Sequence, residues 1–296
     1  MDHRTRWEQT VDDMNSLDPR VNPYRRDIAA KKLEGRVNAA HFVEGTLREV
    51  VEPIVDVRRD PAHEASLDTQ ALKGERVNVY EVSEEGWAWG QLESDDYVGY
   101  MSANALGPSG PLPTHRVVVP RTFGFPGPDI KLPPMIALPM GAKLEVKRQE
   151  TARGSAFALN EYGWHFPLAH IAPLGARQTN FVTVAEMLLN APYLWGGKSS
   201  LGIDCSGLVQ IALQACGMAC PRDTYMQEKA LGHPVQLANL RRGDLMFWKG
   251  HVAIACDATT LIHANAHHMM VATEPVKDAV TRIKRAGNDI SSIKRL

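Results

Sequence analysis

Two stretches of this chain repeat themselves at a spacing of about 67 residues. Gly74–Val79 (GERVNV) aligns with Gly141–Val146 (GAKLEV), and Tyr97–Leu106 (YVGYMSANAL) aligns more loosely with Trp164–Leu174 (WHFPLAHIAPL). A period of that length fits one compact β-barrel module, so the feature constrains the first half of the chain to a tandem of small all-β units. The first copy reads as short strands rich in β-formers: Val77–Val82 (VNVYEV), Trp87–Leu92 (WAWGQL) and Tyr97–Met101 (YVGYM). The polar turns Ser83–Gly86 and Glu93–Asp96 separate them. Gly107–Pro113 (GPSGPLP) is a Pro/Gly-rich link, and Phe125–Pro134 (FPGPDIKLPP) reads as a loop inserted in the second copy. The expected barrels span residues 42–110 and 111–175. A single irregular all-β domain is the competing description.

Residues 1–41 are charged and carry one short amphipathic piece, Asp27–Gly35 (DIAAKKLEG). With Asp27 as cap and Gly35 as stop, it reads as a short helix in an arm lying across another part of the molecule. Beyond Gln178 the pattern changes. Val182–Ala191 has apolar residues at 184, 187, 188 and 191, a helical spacing. A loop, Pro192–Asp204, precedes a second helix from Cys205 to about Cys216, stopped by Gly217. Arg241–Trp248 and His251–Cys256 are strand-like and joined by a Lys-Gly turn; Leu261–Ala264 is a third strand. Helices followed by a small antiparallel sheet make residues 176–296 an α+β domain.

At 296 residues the chain exceeds one ordinary core, in keeping with several domains. Its net charge of −1, with 23% charged residues, supplies no electrostatic reason to bind nucleic acid or an anionic membrane. The four cysteines all lie in the last third, with no C-x-x-C pair, which fits a reducing compartment. The opening Met1–Asn15 is charged and lacks an apolar core of the signal-peptide kind, and no run has the length of a membrane span. The expected location is cytoplasmic.

Asp204 stands at the N-cap of the second helix, so Cys205 falls in the first turn. There unpaired backbone N–H groups and the helix dipole favour a thiolate. Gly202 and Gly207 leave room for a substrate backbone. Locally, a packed, inert thiol accounts for the same pattern. A thiolate nucleophile needs a base, and the base an orienting partner. His251 and His263 are the candidates, and they share one sheet face only if the hairpin pairs Ala253 with His263. A core histidine and a surface histidine is the plainer alternative. No carboxylate or second cysteine stands at ligand spacing beside them, and His267-His268 reads as a loop pair, so neither a metal nor a cofactor is expected.

Five ordered blocks then carry a resemblance: Pro192–Gln210 (PYLWGGKSSLGIDCSGLVQ), Pro221–Gln227 (PRDTYMQ), Arg242–Trp248 (RGDLMFW), Gly250–Ala255 (GHVAIA) and Leu261–Ala264 (LIHA). Residues 180–285 closely resemble the NlpC-type cell-wall peptidases, papain-like bacterial cysteine peptidases. The upstream barrels resemble bacterial SH3 modules, chiefly through Gly86–Leu92 and Tyr97–Met101. The fold class implied is an α+β papain-like C-terminal peptidase domain preceded by two small all-β SH3-like barrels.

The resemblance implies Cys205 as nucleophile, His251 as general base, His263 as the third residue holding the His251 ring, and Tyr193 as an oxyanion donor beside the backbone N–H of Cys205. The layout resembles cytoplasmic γ-D-glutamyl-L-diamino acid peptidases that recycle wall fragments such as L-Ala-γ-D-Glu-diamino acid. In that subgroup Asp204 and Ser206 bind the peptide end, Asp223 meets the free α-amine, and Tyr97 closes the pocket, with Glu64 a further candidate for the amine. The physical need is independent of the family, because an ammonium entering a closed pocket requires a carboxylate to offset its desolvation. Two other readings stand beside this one: a wall-binding protein acting through its barrels, and an exported endopeptidase remodelling intact wall.

Overall fold

The computed structural model describes residues 17–296. The expected arm is therefore seen from Leu17 onward, and residues 1–16 lie outside the described residues. It does lie across the first β unit. The Val98 amide donates to the Arg20 carbonyl and the Gln91 side chain to the Val21 carbonyl. Arg25 reaches the Tyr100 hydroxyl and Glu81 while covering the Trp89 ring at 4.5 Å. The helix expected over Asp27–Gly35 is not formed. Ile28–Ala30 is a strand paired in parallel with His41–Val43, and only Lys31–Leu33 makes a 3-10 turn. Strand pairing takes the backbone groups a helix would have used, while Ala29, Ala30 and Leu33 are buried.

The first β unit is a seven-stranded antiparallel sheet. In spatial order its strands are Leu67–Leu72, Ile54–Arg58, Val98–Ser102, Trp87–Leu92, Arg76–Val82, Thr46–Val50 and Leu106–Pro108. Its core gathers Val50, Val57, Val77, Leu92, Tyr97 and Met101. The second unit has a separate core of Val117, Leu138, Leu144, Ala158, Phe166 and Ile171, enclosed by two three-stranded sheets and one two-stranded sheet. The aligned segments take the same succession in both units. Val98–Ser102, a 3-10 turn at Ala103–Ala105 and Leu106–Pro108 correspond to His165–Pro167, a 3-10 turn at Leu168–His170 and Ile171–Pro173.

In the C-terminal region the first helix runs only Phe181–Glu186, capped by Asn180, shorter than the periodicity of Val182–Ala191 predicts. Asn190 has φ of 67°, and its amide donates to the Val271 carbonyl, so the chain leaves the helix to join the sheet. The second helix, Cys205–Ala215, matches its expected span. It packs Leu208, Val209 and Ala212 against Phe247, Val252, Ile254 and Ile262 of a six-stranded sheet. The spatial order there is His233–Pro234, Ile290–Arg295, Leu245–Trp248, His251–Ala255, Thr260–Asn265, Met270–Pro275. The opposite face is covered by the helix Val276–Arg285 through Val276 and Ala279. Among the described residues no helix is long and apolar enough to cross a membrane.

The first β unit is locked to the C-terminal region by buried polar groups. Lys198 reaches Glu75 at 3.3 Å and Asp95 at 4.0 Å, all three nearly inaccessible. Gln210 donates to Asp95 and Arg222 to the Thr69 hydroxyl. Lys198 holds the buried Glu75 carboxyl below its ordinary range against the opposing effect of burial.

Candidate active site

The hairpin register decides which histidines meet. Ile254 pairs with Ile262 and Ala255 with Leu261, which sets Ala253 opposite His263. His251 and His263 are thus diagonal neighbours on one face. His251 Nε2 lies 2.9 Å from His263 Nδ1, with ring centroids 5.1 Å apart. The next strand pairs Ala272 with His263, so Glu274 falls on the same face. His263 Nε2 is 3.2 Å from Glu274 Oε2, and Arg282 closes the row by donating to both oxygens of Glu274 at 3.1 and 2.6 Å.

Glu274 and Arg282 were not legible as site residues, since Glu274 joins the row only through strand pairing. They settle the protonation pattern. An ionised carboxylate only accepts, so His263 carries its proton on Nε2 and its Nδ1 accepts the Nε2–H of His251. His251 Nδ1 is left with a lone pair, the form a general base requires. Burial drives the His251 pKa down to about 4, with Arg282 adding to the effect, and holds His263 lower still. Both rings are neutral at pH 7.

Cys205 opens its helix and is buried. Its thiol lies 3.9 Å from the Thr224 hydroxyl and beside the backbone N–H of Val252, the residue after His251. No hydrogen bond joins the thiol to His251. Catalytic contacts of this kind tighten when substrate enters. The expected thiolate is not the resting form. Burial, with the Asp204 carboxylate adding to it, raises the Cys205 pKa to about 11, against the lowering effects of the Val252 N–H, the Thr224 hydroxyl and Arg222. Tyr193 is half-buried against the same apolar cluster as Cys205. Its hydroxyl is held above the usual phenol range, by burial first and then by Cys205 and Asp204.

The neighbours expected to touch substrate are mostly occupied. Asp204 Oδ1 accepts from the Gly207 amide, Asp204 Oδ2 from the Gly196 amide, and Arg222 spans both oxygens at 3.0 and 2.7 Å. The Ser206 hydroxyl accepts from Arg222 at 2.8 Å and donates to Asp204. Arg222, almost fully buried, is thus the structural counter-ion of the helix start. Gly202 and Gly207 serve the protein's own packing. A Cβ at Gly202 would meet Leu194 at 2.6 Å, and one at Gly207 the Gly197 carbonyl oxygen at 2.5 Å.

Asp223 behaves differently. It occupies the N-cap of Thr224–Ala230, yet its side chain caps nothing. The Tyr97 hydroxyl donates to it at 3.2 Å and Arg20 at 2.8 Å. Burial raises its pKa, opposed by Arg20 and Arg222. Tyr97 is buried, and its own pKa stands well above the phenol range for the same reason. Sequence reasoning missed Arg20, whose arm position became meaningful only on folding. Glu64 stays exposed between Ile54–Arg58 and Leu67–Leu72, without a hydrogen bond or ion pair among the described residues, and does not join this corner.

Comparison with known proteins accords with this geometry. Residues 190–285 match the NlpC/P60 family, and residues 57–106 match the bacterial dipeptidyl-peptidase SH3 domain. The chain is 27% identical over 235 residues to dipeptidyl-peptidase 6 of Lysinibacillus sphaericus, covering 73% of this chain and 86% of that protein. It is 28% identical over 221 residues to γ-D-glutamyl-L-lysine dipeptidyl-peptidase of Bacillus subtilis strain 168, covering 67% and 72%. The crystal structure of an NlpC/P60 family protein from Bacillus cereus ATCC 10987 superposes with a TM-score of 0.71 at 19% identity, over 84% of this chain and 99% of that one, a likeness of fold. No second SH3 match accompanies the one at residues 57–106. Residues 190–285 are therefore matched to the NlpC/P60 family, preceded by one matched bacterial dipeptidyl-peptidase SH3 domain, and the fold is that of the NlpC/P60 structure.

Proposed function

We propose that the protein is a cysteine peptidase that hydrolyses the γ-D-glutamyl–diamino acid bond of murein peptides bearing a free N-terminal L-Ala. The observation that carries this reading is Asp223. Its carboxylate is released from capping, held by Tyr97 of the first β unit, and adjacent in sequence to Thr224, which touches the Cys205 thiol. This carboxylate, paired with Arg20 at 2.8 Å and hydrogen-bonded by Tyr97, keeps acceptor capacity for an ammonium group, whose desolvation it offsets. The name of the Bacillus subtilis relative, γ-D-glutamyl-L-lysine dipeptidyl-peptidase, supports the same bond type.

In this mechanism His251 Nδ1 takes the Cys205 proton as sulfur attacks the γ-carbonyl, and the resulting imidazolium is stabilised through His263 and Glu274. The Cys205 N–H and the Tyr193 hydroxyl stabilise the oxyanion. His251 then protonates the leaving amine of the diamino acid, and water releases L-Ala-D-Glu from the thioester. Asp204 and Ser206 shape the pocket wall through Arg222. Glu64 enters only if its loop closes over bound peptide. The second β unit is a diverged copy of the first. A cytoplasmic role in wall recycling completes the reading, supported by four free cysteines.

The test compares L-Ala-γ-D-Glu-diaminopimelate with its N-acetylated form, using purified protein. Cleavage of the free-amine peptide at least tenfold faster is expected. Equal rates would remove the amine-binding role of Asp223, and no cleavage of either would remove the bond assignment. Cell fractionation checks the location.

A further inference from the structure

Two members of the catalytic row, His263 and Glu274, share a third donor, His268. His263, His268 and Glu274 each present a ligand atom within 4.8 Å of the other two. We propose that these three side chains bind a divalent transition-metal ion such as Zn²⁺, and that the bound ion switches the peptidase off. The inhibitory half rests on the base role given to His251 above; the binding half does not.

Geometry and outer hydrogen bonds support the site. Zinc bonds of about 2.0–2.1 Å at tetrahedral angles separate neighbouring ligand atoms by about 3.3 Å. His263 Nε2 and Glu274 Oε2 already stand 3.2 Å apart. His268 is half-buried on the turn between two strands, where small movements close the remaining distance. Ligating histidines usually donate their other ring N–H to an acceptor, which leaves the coordinating nitrogen bare. Asn265 does this for His268. Its amide nitrogen donates to the His263 carbonyl and its Oδ1 accepts the His268 backbone N–H, so the His268 Nδ1 at 3.0 Å must be the donor. Nε2 of His268 is then a free lone pair. Arg282 donates to both Glu274 oxygens, at 3.1 Å to Oε1 and 2.6 Å to Oε2, so the ion takes the Oε2 lone pair that now faces His263 while the guanidinium stays as the outer hydrogen bond. Its positive charge weakens the site, which suits an ion that binds when metal is abundant.

Inhibition follows from proton positions. In the metal-free row His263 carries hydrogen on Nε2. A metal at that atom displaces this proton to solvent, the His251 Nε2 proton passes to His263 Nδ1 across their 2.9 Å contact, and His251 takes up a proton from solvent on Nδ1, so both rings end neutral with no net proton released. His263 Nδ1 becomes a donor to His251 Nε2, which forces the His251 proton onto Nδ1. The lone pair needed to accept the thiol proton is gone.

Zn²⁺ and Co²⁺ are titrated into the full chain carrying Cys205→Ala, which removes the thiol as a competing ligand. One equivalent should bind, with Co²⁺ giving tetrahedral visible bands, and adding His268→Ala should weaken binding at least tenfold. In ¹⁵N-histidine spectra, Zn²⁺ should move the His251 proton from Nε2 to Nδ1. With the thiol intact, Zn²⁺ should inhibit hydrolysis, and His268→Ala should need at least tenfold more metal while keeping its metal-free rate. Loss of binding on Cys205→Ala alone, or equal Zn²⁺ sensitivity with and without His268, overturns the proposal. The binding and tautomer measurements stand even if the assigned peptide proves not to be the substrate.

Discussion

The two ends of the candidate site are built on opposite principles. The catalytic row, His251–His263–Glu274–Arg282, comes from three adjacent strands and the helix that covers them, so one domain positions it alone. Its imidazoles are neutral, and its only ions sit at the far end. The Asp223 corner is charged, and three separate parts of the chain assemble it: Arg20 from the arm, Tyr97 from the first β unit, and Asp223 from the C-terminal domain. Under the proposed function, chemistry is thus local and substrate selection is distributed. Damage to the first end should change turnover, and damage to the second should change binding.

The largest effect is expected from Cys205→Ala, which should reduce hydrolysis to background in a product assay on the tripeptide. Retained turnover would take the nucleophile away from the row altogether. Next comes Glu274→Ala. It leaves His263 without its acceptor and scrambles both tautomers, so kcat should fall about 100-fold, within the range of general-base contributions, with KM little changed. A rise in KM instead would mean that Glu274 belongs to the binding end.

Lys198→Ala strips the counter-ion from buried Glu75 and Asp95 between the domains, and denaturation should report a loss of about 3–5 kcal/mol. Asp223→Asn should raise KM for the free-amine peptide about 10- to 100-fold, the cost of one unpaired buried charge, and leave the N-acetylated peptide unaffected.

The smallest effects concern pH. Arg20 lowers the Asp223 pKa, so Arg20→Ala should let burial push it further up and shift the acid limb of KM to higher pH. The catalytic end should show a broad plateau. Activity needs neutral His251, which is lost only as pH falls toward about 4, and a protonated resting thiol, which persists to about 11. A profile of kcat/KM that instead drops through pH 6.5 would mean that the row is more open to water than its burial states.

Local pattern carried most of the fold. Strands Arg76–Val82 and Trp87–Leu92 and the helix Cys205–Ala215 appear close to where their residues predicted them. Short segments failed where tertiary pairing competed for their backbone, as at Ile28–Ala30, and at Asn190, where the sheet drew the chain out of its helix.

The site divides in the same way. Cys205 at a capped helix start and two histidines on neighbouring strands are properties of spacing and alternation, so the sequence alone determined the chemistry available. Tertiary structure decided what each carboxylate does, because charge is settled by partners and burial rather than by residue type. Asp204, beside the nucleophile, is consumed by Arg222, whereas Asp223, at a helix start that should have used it, stands free of capping beside Tyr97 and Arg20. Glu274, unremarkable in sequence, orders two imidazoles because one strand pairing places it within 3.2 Å of His263.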